Sequence, residues 1–245
     1  MHLLAERSPI ADAPIYFIDE TDSTMDDLAR LIEDGAPHGS VVVTGFQSAG
    51  RGRRPGRRWW SPPGTALMFS VALHREPAPA TQSLRMATAI ADEILDRFRV
   101  DVRIKWPNDV LVDGRKACGI LADARADWLL IGVGLNCLQQ SFPADLDGHA
   151  TSLTIEAPDA PRDTLDPSRL LCPILTRFVA LDPWHSRMNE LLWRVGEPVT
   201  VTAPDGTRTT GVVDRVSEHG GLELLNDGVT TVVAGELAAA AMERS

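Results

Sequence analysis

Apolar residues recur along this chain with two different spacings, and the alternation between them predicts its elements. A strand sends successive side chains to opposite faces, whereas a helix brings residues three and four apart onto one side. Ile15–Asp19 reads as a short strand. Thr24 then has the character of a helix N-cap, with Asp27 three residues on completing a capping box. That helix runs through Leu28, Leu31 and Ile32 and stops at Gly35. Val41–Phe46 and Ala66–Leu73 are buried strands. Between Thr81 and Arg99, Leu84, Ala87, Ala91, Ile94, Leu95 and Phe98 return at helical spacing, as in an amphipathic helix lying on a sheet. Val102–Trp106 alternates like a strand, and Val110–Val112, the turn Asp113-Gly114 and Lys116–Ala122 read as a hairpin. Trp128–Asn136 is a further strand, interrupted by Gly132 and Gly134. Glycine inside a strand often marks the close approach of a ligand or another backbone.

After Cys137 the pattern loosens, with prolines at 143, 158, 161 and 167, and two helices are expected near Ser168–Leu181 and Trp184–Val195. Pro173 must then lie in a first turn or break its helix. From Glu197 onward, Val199–Thr202, Thr209–Val216, Leu222–Leu225 and Thr230–Val233 alternate with Asp-Gly and Gly-Gly turns. This spacing suits a small antiparallel barrel. The whole reads as an α/β unit over residues 1–195 followed by a β-rich unit over 196–245.

Composition narrows the classes. The 245 residues are 44% hydrophobic, enough for a sizeable core. No apolar run approaches the roughly 18 residues that cross a bilayer, so no membrane association is expected. Cys118, Cys137 and Cys172 form an odd set without zinc-type spacing, which suits a reducing, cytoplasmic setting. A net charge of −10 repels nucleic acid as a whole, yet Arg51, Arg53, Arg54, Arg57 and Arg58 crowd into one short stretch. A basic island in an acidic protein suits a small anion. Lysine occurs only at Lys105 and Lys116, although 24 residues are basic. A compact ammonium persisting where arginine is otherwise preferred points to a functional need at these two positions.

Four motifs carry candidate chemistry. The first is the stretch from Gln47 to Pro62, in which glycines turn backbone N–H groups inward and arginines supply charge-assisted donors to an anion. An RGG-like nucleic-acid segment and a plain solvated turn are the alternatives at this point. The second is Lys105-Trp106-Pro107-Asn108-Asp109, where the lysine suits a phosphate and Asp109 a magnesium ion or ribose hydroxyl; a structural turn closed by a Lys–Asp pair is equally open. The third is Arg115-Lys116-Ala117-Cys118-Gly119-Ile120-Leu121, with Lys116 facing a cleft, Gly119 admitting a ligand and Cys118 packing. The fourth is Gly132-Val133-Gly134-Leu135-Asn136.

In this order and spacing the four motifs, with Asp22-Ser23-Thr24 before them and Ala150-Thr151-Ser152-Leu153 after, resemble the biotin–protein ligase family. The resemblance runs from about Phe17 to Leu237, and Gly50–Arg53 with Lys-Trp-Pro-Asn-Asp assigns it to the biotin branch rather than to lipoate ligases or octanoyltransferases. It implies a mixed sheet backed by helices and a C-terminal SH3-like barrel. It also implies an enzyme that forms biotinyl-5′-AMP from biotin and ATP, with magnesium accompanying the triphosphate and no prosthetic group. The biotinyl group would then pass to a lysine of a biotin carboxyl carrier protein domain.

By the same resemblance, Ser23, Thr24, Gln47, Gly50, Arg51, Gly52, Arg53, Lys116, Gly119, Gly132 and Val133 surround biotin. Arg53, Lys105, Trp106, Asn108, Asp109, Lys116 and Asn136 serve the nucleotide. Lys116 is the leading catalytic residue, with Arg51 and Arg53 closing over the reacting groups; metal ligands stay unassigned. Met25 stands where the family has asparagine, Ser48 where it has threonine, and the arginine loop is one residue longer before Trp59. About 15 residues precede the first expected strand, too few for the winged helix of many relatives, so no operator binding is expected. Monomer and homodimer are both open.

Overall fold

A computed structural model of the chain describes residues 1–53, 56–75 and 79–239. Arg54, one of the clustered arginines, lies outside them. Eight strands form the larger sheet: β1 (His2–Ser8), β2 (Ala13–Thr21), β3 (Val41–Gln47), β4 (Ala66–His74), β5 (Val102–Lys105), β6 (Asp109–Val112), β7 (Arg115–Arg125) and β8 (Trp128–Asn136). Their order is β1-β2-β3-β4-β8-β7-β6-β5, with β2 and β3 parallel and the other neighbours antiparallel. The sheet is therefore mixed, as expected. β4 lies in its middle and is buried from Ala66 to Leu73, which explains its unbroken apolar run.

The two faces are covered unequally. Helix α1 (Thr24–Glu33) packs Met25, Leu28 and Ala29 against Val42, Ala72 and Leu130. Helix α2 (Pro79–Phe98) lies on the opposite face and is itself covered by α4 (Leu171–Ala180) and α5 (Trp184–Glu190); the short α3 (Leu153–Glu156) precedes them. α2 is consequently buried on more than the predicted stripe: Met86, Ala89 and Ile90 are as enclosed as Leu84, Ala87, Ala91 and Ile94. Its one buried acid, Glu93, is paired to Arg97 and Arg177.

Three local expectations need correction. The capping box at α1 is not formed, because Ser23 rather than Thr24 precedes the helix and makes no side-chain bond to it. Thr24 instead bonds Gln47, and Asp27 accepts from Arg30 (2.8 Å). The helix expected to reach Val195 stops at Glu190, because the next residues run along the free edge of β5. Ile104 donates to the Leu191 carbonyl (2.8 Å) and accepts from Trp193 (3.0 Å). Finally, His2–Ser8 adds an edge strand that an exposed, mostly polar stretch did not signal.

The C-terminal strands β9 (Pro198–Thr202), β10 (Arg208–Val216), β11 (Leu222–Leu225), β12 (Val229–Val232) and β13 (Glu236–Ala239) form an antiparallel five-stranded sheet, ordered β12-β11-β10-β9-β13. Four of them were anticipated; β13 was not. The two sheets meet where the Trp106 indole N–H donates to the Gly220 carbonyl (2.9 Å). Among the described residues no helix is long and apolar enough to cross a membrane.

Candidate active site

Parallel pairing of β2 with β3 brings their C-terminal ends together, with Thr21 opposite Gln47. The chain leaving β2 enters α1 through Ser23 and Thr24, so these residues stand beside Gln47 despite the sequence separation. Gln47 Oε1 accepts from the Thr24 backbone N–H (2.9 Å) and from its hydroxyl (3.2 Å), while Thr24 Oγ1 and Ser70 Oγ share another bond (2.7 Å). The amide orientation of Gln47 is thereby fixed, and Ser23 is not committed to capping α1.

The next residues form a strap across the face that α1 leaves open. Gly52 donates to Arg57 (2.8 Å), Trp59 donates to Gly50 (3.0 Å), and Arg51 pairs with Arg58 as an antiparallel bridge. Two arginines fasten this strap to different elements. Arg51 makes a two-pronged bond to the Asp26 carboxylate of α1 (2.6 and 2.8 Å), and Arg53 donates to the Gly235 carbonyl (2.8 Å) near Glu236. The Arg51 guanidinium is thus engaged with α1. Its hydrogen bond to Asp26 holds that carboxyl below the usual carboxylate range.

Under the strap, the Trp59 ring lies on the backbone of β7 and β8. A Cβ built on Gly134 would come within 2.4 Å of Trp59 Cε2, and one on Gly119 within 3.1 Å of both Trp59 and Lys116 Nζ. Only glycine admits the indole this closely. Gly132 serves another neighbour: the Met25 sulfur lies 2.9 Å from where its Cβ would stand.

Lys116 reaches this face through an irregularity. Lys116 pairs with Leu111 and Cys118 with Val110, which leaves Ala117 as an extra residue in β7. Without that bulge, positions 116 and 119 would face opposite sides of the sheet. With it, Ala117 and Cys118 both enter the core while Lys116 and Gly119 share the cleft. Burial pushes the Cys118 thiol well above its ordinary range, which removes it as a nucleophile. Lys116 Nζ stands 2.6 Å from Asp109 Oδ1, close enough for an ion pair but off the line of a directed hydrogen bond.

Two cavities result. The smaller, about 60 Å³, is bounded by Ser23, Thr24, Met25, Gln47, Arg51, Gly119, Gly132 and Val133. The larger, about 300 Å³, is bounded by Lys105, Trp106, Asn108, Asp109, Asn136 and the outer part of the strap. Gly52, Arg53, Trp59, Asn108 and Lys116 line both, so Lys116 stands at their junction. The residues expected around biotin other than Gly50 bound the first cavity, and those expected around the nucleotide bound the second. Gly50 sits behind Gln47 and Trp59, where a Cβ would crowd both (3.2 and 3.1 Å).

Several members of the second set have their polar atoms committed within the protein. Trp106 is 1% exposed, and its N–H is taken by Gly220. Asn108 donates to the Ile120 carbonyl (2.9 Å). Asn136 donates to the Thr151 carbonyl (2.9 Å) and accepts from Gln139 (3.0 Å). Lys105 lies over the Trp193 ring, 5.2 Å from its centroid, and burial lowers its pKa against the partial opposition of Asp109. Sequence reasoning missed Asp26, Phe142, Leu146, Glu236 and Leu237. These approach the site only through folding, and none belongs to a local motif.

A family model described as the biotin/lipoate A/B protein ligase family matches residues 16–136. A biotin–[acetyl-CoA-carboxylase] ligase of Mycobacterium tuberculosis is 32% identical over 233 residues, which cover 88% of this chain and 84% of that protein. A ligase of the same name from Paracoccus denitrificans is 30% identical, with 83% and 91% covered. The bifunctional ligase/repressor BirA of Bacillus subtilis is 35% identical over 158 residues, 48% of its length. Among solved structures, a biotin protein ligase from Aquifex aeolicus in complex with biotin and ATP superposes with a TM-score of 0.77 at 26% identity, covering 91% of this chain and 97% of that one. The chain therefore belongs to the biotin/lipoate A/B protein ligase family and is an enzyme of the biotin–[acetyl-CoA-carboxylase] ligase type.

Proposed function

We propose that this enzyme joins biotin and ATP into biotinyl-5′-AMP, releasing pyrophosphate, and then transfers the biotinyl group to a lysine of a biotin carboxyl carrier protein domain. The observation that carries this reading is the pair of cavities meeting at Lys116. A cavity that sets fixed polar groups beside glycine and apolar walls suits a bicyclic ring with a polar ureido edge, and a cavity with lysine at its rim suits a triphosphate.

In the first step the biotin carboxylate oxygen attacks the α-phosphorus and the bond to pyrophosphate breaks. Two anions must approach each other, so fixed positive charge at the junction is the main requirement. Lys116 supplies it, leaving Asp109 as the nucleotide arrives. Arg53 closes from above, and Arg51 acts by holding the strap shut. Ser23 and Gln47 orient the ureido ring, with Met25 forming the apolar floor. Lys105 attracts the phosphates. Magnesium binds triphosphates through one or two carboxylates, and Asp109 and Glu236 on the larger cavity fit that demand. When bound it screens phosphate charge. In the second step the acceptor amine attacks the mixed anhydride and AMP departs. A reducing, cytoplasmic setting suits three free cysteines, and no nucleic-acid partner is proposed.

Biotin-dependent exchange of pyrophosphate into ATP tests the reading. Exchange supported by lipoate or octanoate but not biotin would overturn the choice of acid. Lys116→Ala is expected to lower adenylate formation by about a hundredfold or more while biotin affinity holds. Unchanged turnover would remove Lys116 from the mechanism.

A further inference from the structure

We infer that Glu156 is a positioning residue for Lys116, an inference that rests on the catalytic reading of that lysine. β7 is held on one side by β6; on the other, at Lys116, it meets no strand but the loop before α3. There Lys116 forms a parallel bridge with Ala150: its N–H donates to the His149 carbonyl (2.9 Å), and its carbonyl accepts from the Thr151 N–H (2.9 Å). These two bonds fix the backbone from which the lysine rises, immediately before the bulge.

The Glu156 side chain is only 7% exposed, and it grips a neighbour of the bridge on each of the two chains. The same oxygen, Oε1, accepts from Arg115 Nη2 (2.6 Å), next to the lysine, and from the Thr151 hydroxyl in the facing loop. A buried carboxylate needs such partners to stay charged, and these two lie on the two chains the bridge must keep together. Asn136 completes the arrangement by donating to the Thr151 carbonyl. Glu156 touches neither cavity, so its effect must pass through the placement of the lysine.

The chain contains only two lysines, so backbone ¹⁵N-lysine labelling of the full chain gives two amide signals. Lys105 reports on the general fold and Lys116 on the bridge. Glu156→Ala is expected to speed hydrogen exchange of the Lys116 amide by about tenfold, with Lys105 unchanged and Glu156→Gln intermediate. The kcat for biotinyl-AMP formation should fall by about ten- to a hundredfold, with KM for biotin within about twofold of the parent. The inference is overturned if Lys116 exchange is unchanged, if both amides accelerate together, or if Lys116 loosens while kcat holds. A parent enzyme that forms no adenylate from biotin would sink the proposed function instead, and the amide comparison would still decide whether Glu156 holds the bridge.

Discussion

Within the site, small differences in side-chain size carry the design. Trp59 rests on Gly134 so closely that a methyl group there would displace it, and Gly119 leaves it little more room. Gly134→Ala should therefore move the indole off the sheet, with a change in Trp59 fluorescence and a loss of adenylate binding of about tenfold or more; an unaltered emission spectrum would mean that Trp59 does not pack there in solution. Charge is tuned as finely. Because burial lowers the Lys105 pKa from its ordinary 10.5, its ammonium is lost before that pH is reached. KM for ATP should rise as the pH approaches that range, and Lys105→Arg should delay the rise. A wild-type profile flat through the same interval would separate Lys105 from the nucleotide. The thiols answer to the same physics: burial pushes Cys137 up to about 12, so alkylating reagents at neutral pH should leave activity intact.

Among the elements, the strap has one fastening, Asp26 to Arg51, that can be tested without touching the reacting groups. Asp26 and Arg51 are each more than a third exposed, so their pair contributes below about 1 kcal/mol. Asp26→Asn should accordingly speed the escape of biotinyl-AMP by a modest factor, about threefold, read from its dissociation rate. Equal rates would show that this pair does not hold the strap. The Asp26 carboxyl lies below its ordinary 3.8, so the pair persists above that value and is lost only as the pH falls through the lowered one. Arg53→Gly, which removes the fastening at the other sheet, should release more adenylate and label nearby amines indiscriminately.

Elements differ in how far their sequences disclosed them. β8 and β11 lie where their sequences place strands, at Trp128–Asn136 and Leu222–Leu225. Their boundaries are local, set by turns. α2 gave its position but not its surroundings, because the charged residues that read as solvated, Asp92 and Glu93 among them, are paired to arginines of the later helices. α5 was overextended because the bonds that end it come from β5, some eighty residues earlier.

At the scale of the whole molecule, the five-stranded sheet contributes to the larger cavity through Glu236 and Leu237, and it anchors the turn after β5 through Gly220. Trp106→Phe should cost about 1–3 kcal/mol by leaving the Gly220 carbonyl without its donor, and should raise KM for ATP more than KM for biotin. Equal effects on both would indicate a general loss of stability. These long-range contacts mark the limit of motif reading. The motifs disclosed which residues gather, but Asp26, Glu156 and Glu236 carry no signature, since what recruits them is the approach of distant segments.

The extra residue in β7 means that the parity of the strand, and not only its side chains, sets what the cleft contains. Removing Ala117 would leave Lys116 and Gly119 two positions apart in a regular ladder and still on one face, so adenylation should survive in part. Inserting one alanine between Cys118 and Gly119 would instead put the two on opposite faces and should abolish it. A deletion as damaging as the insertion would show that the geometry of the bulge itself, and not parity, places the ammonium.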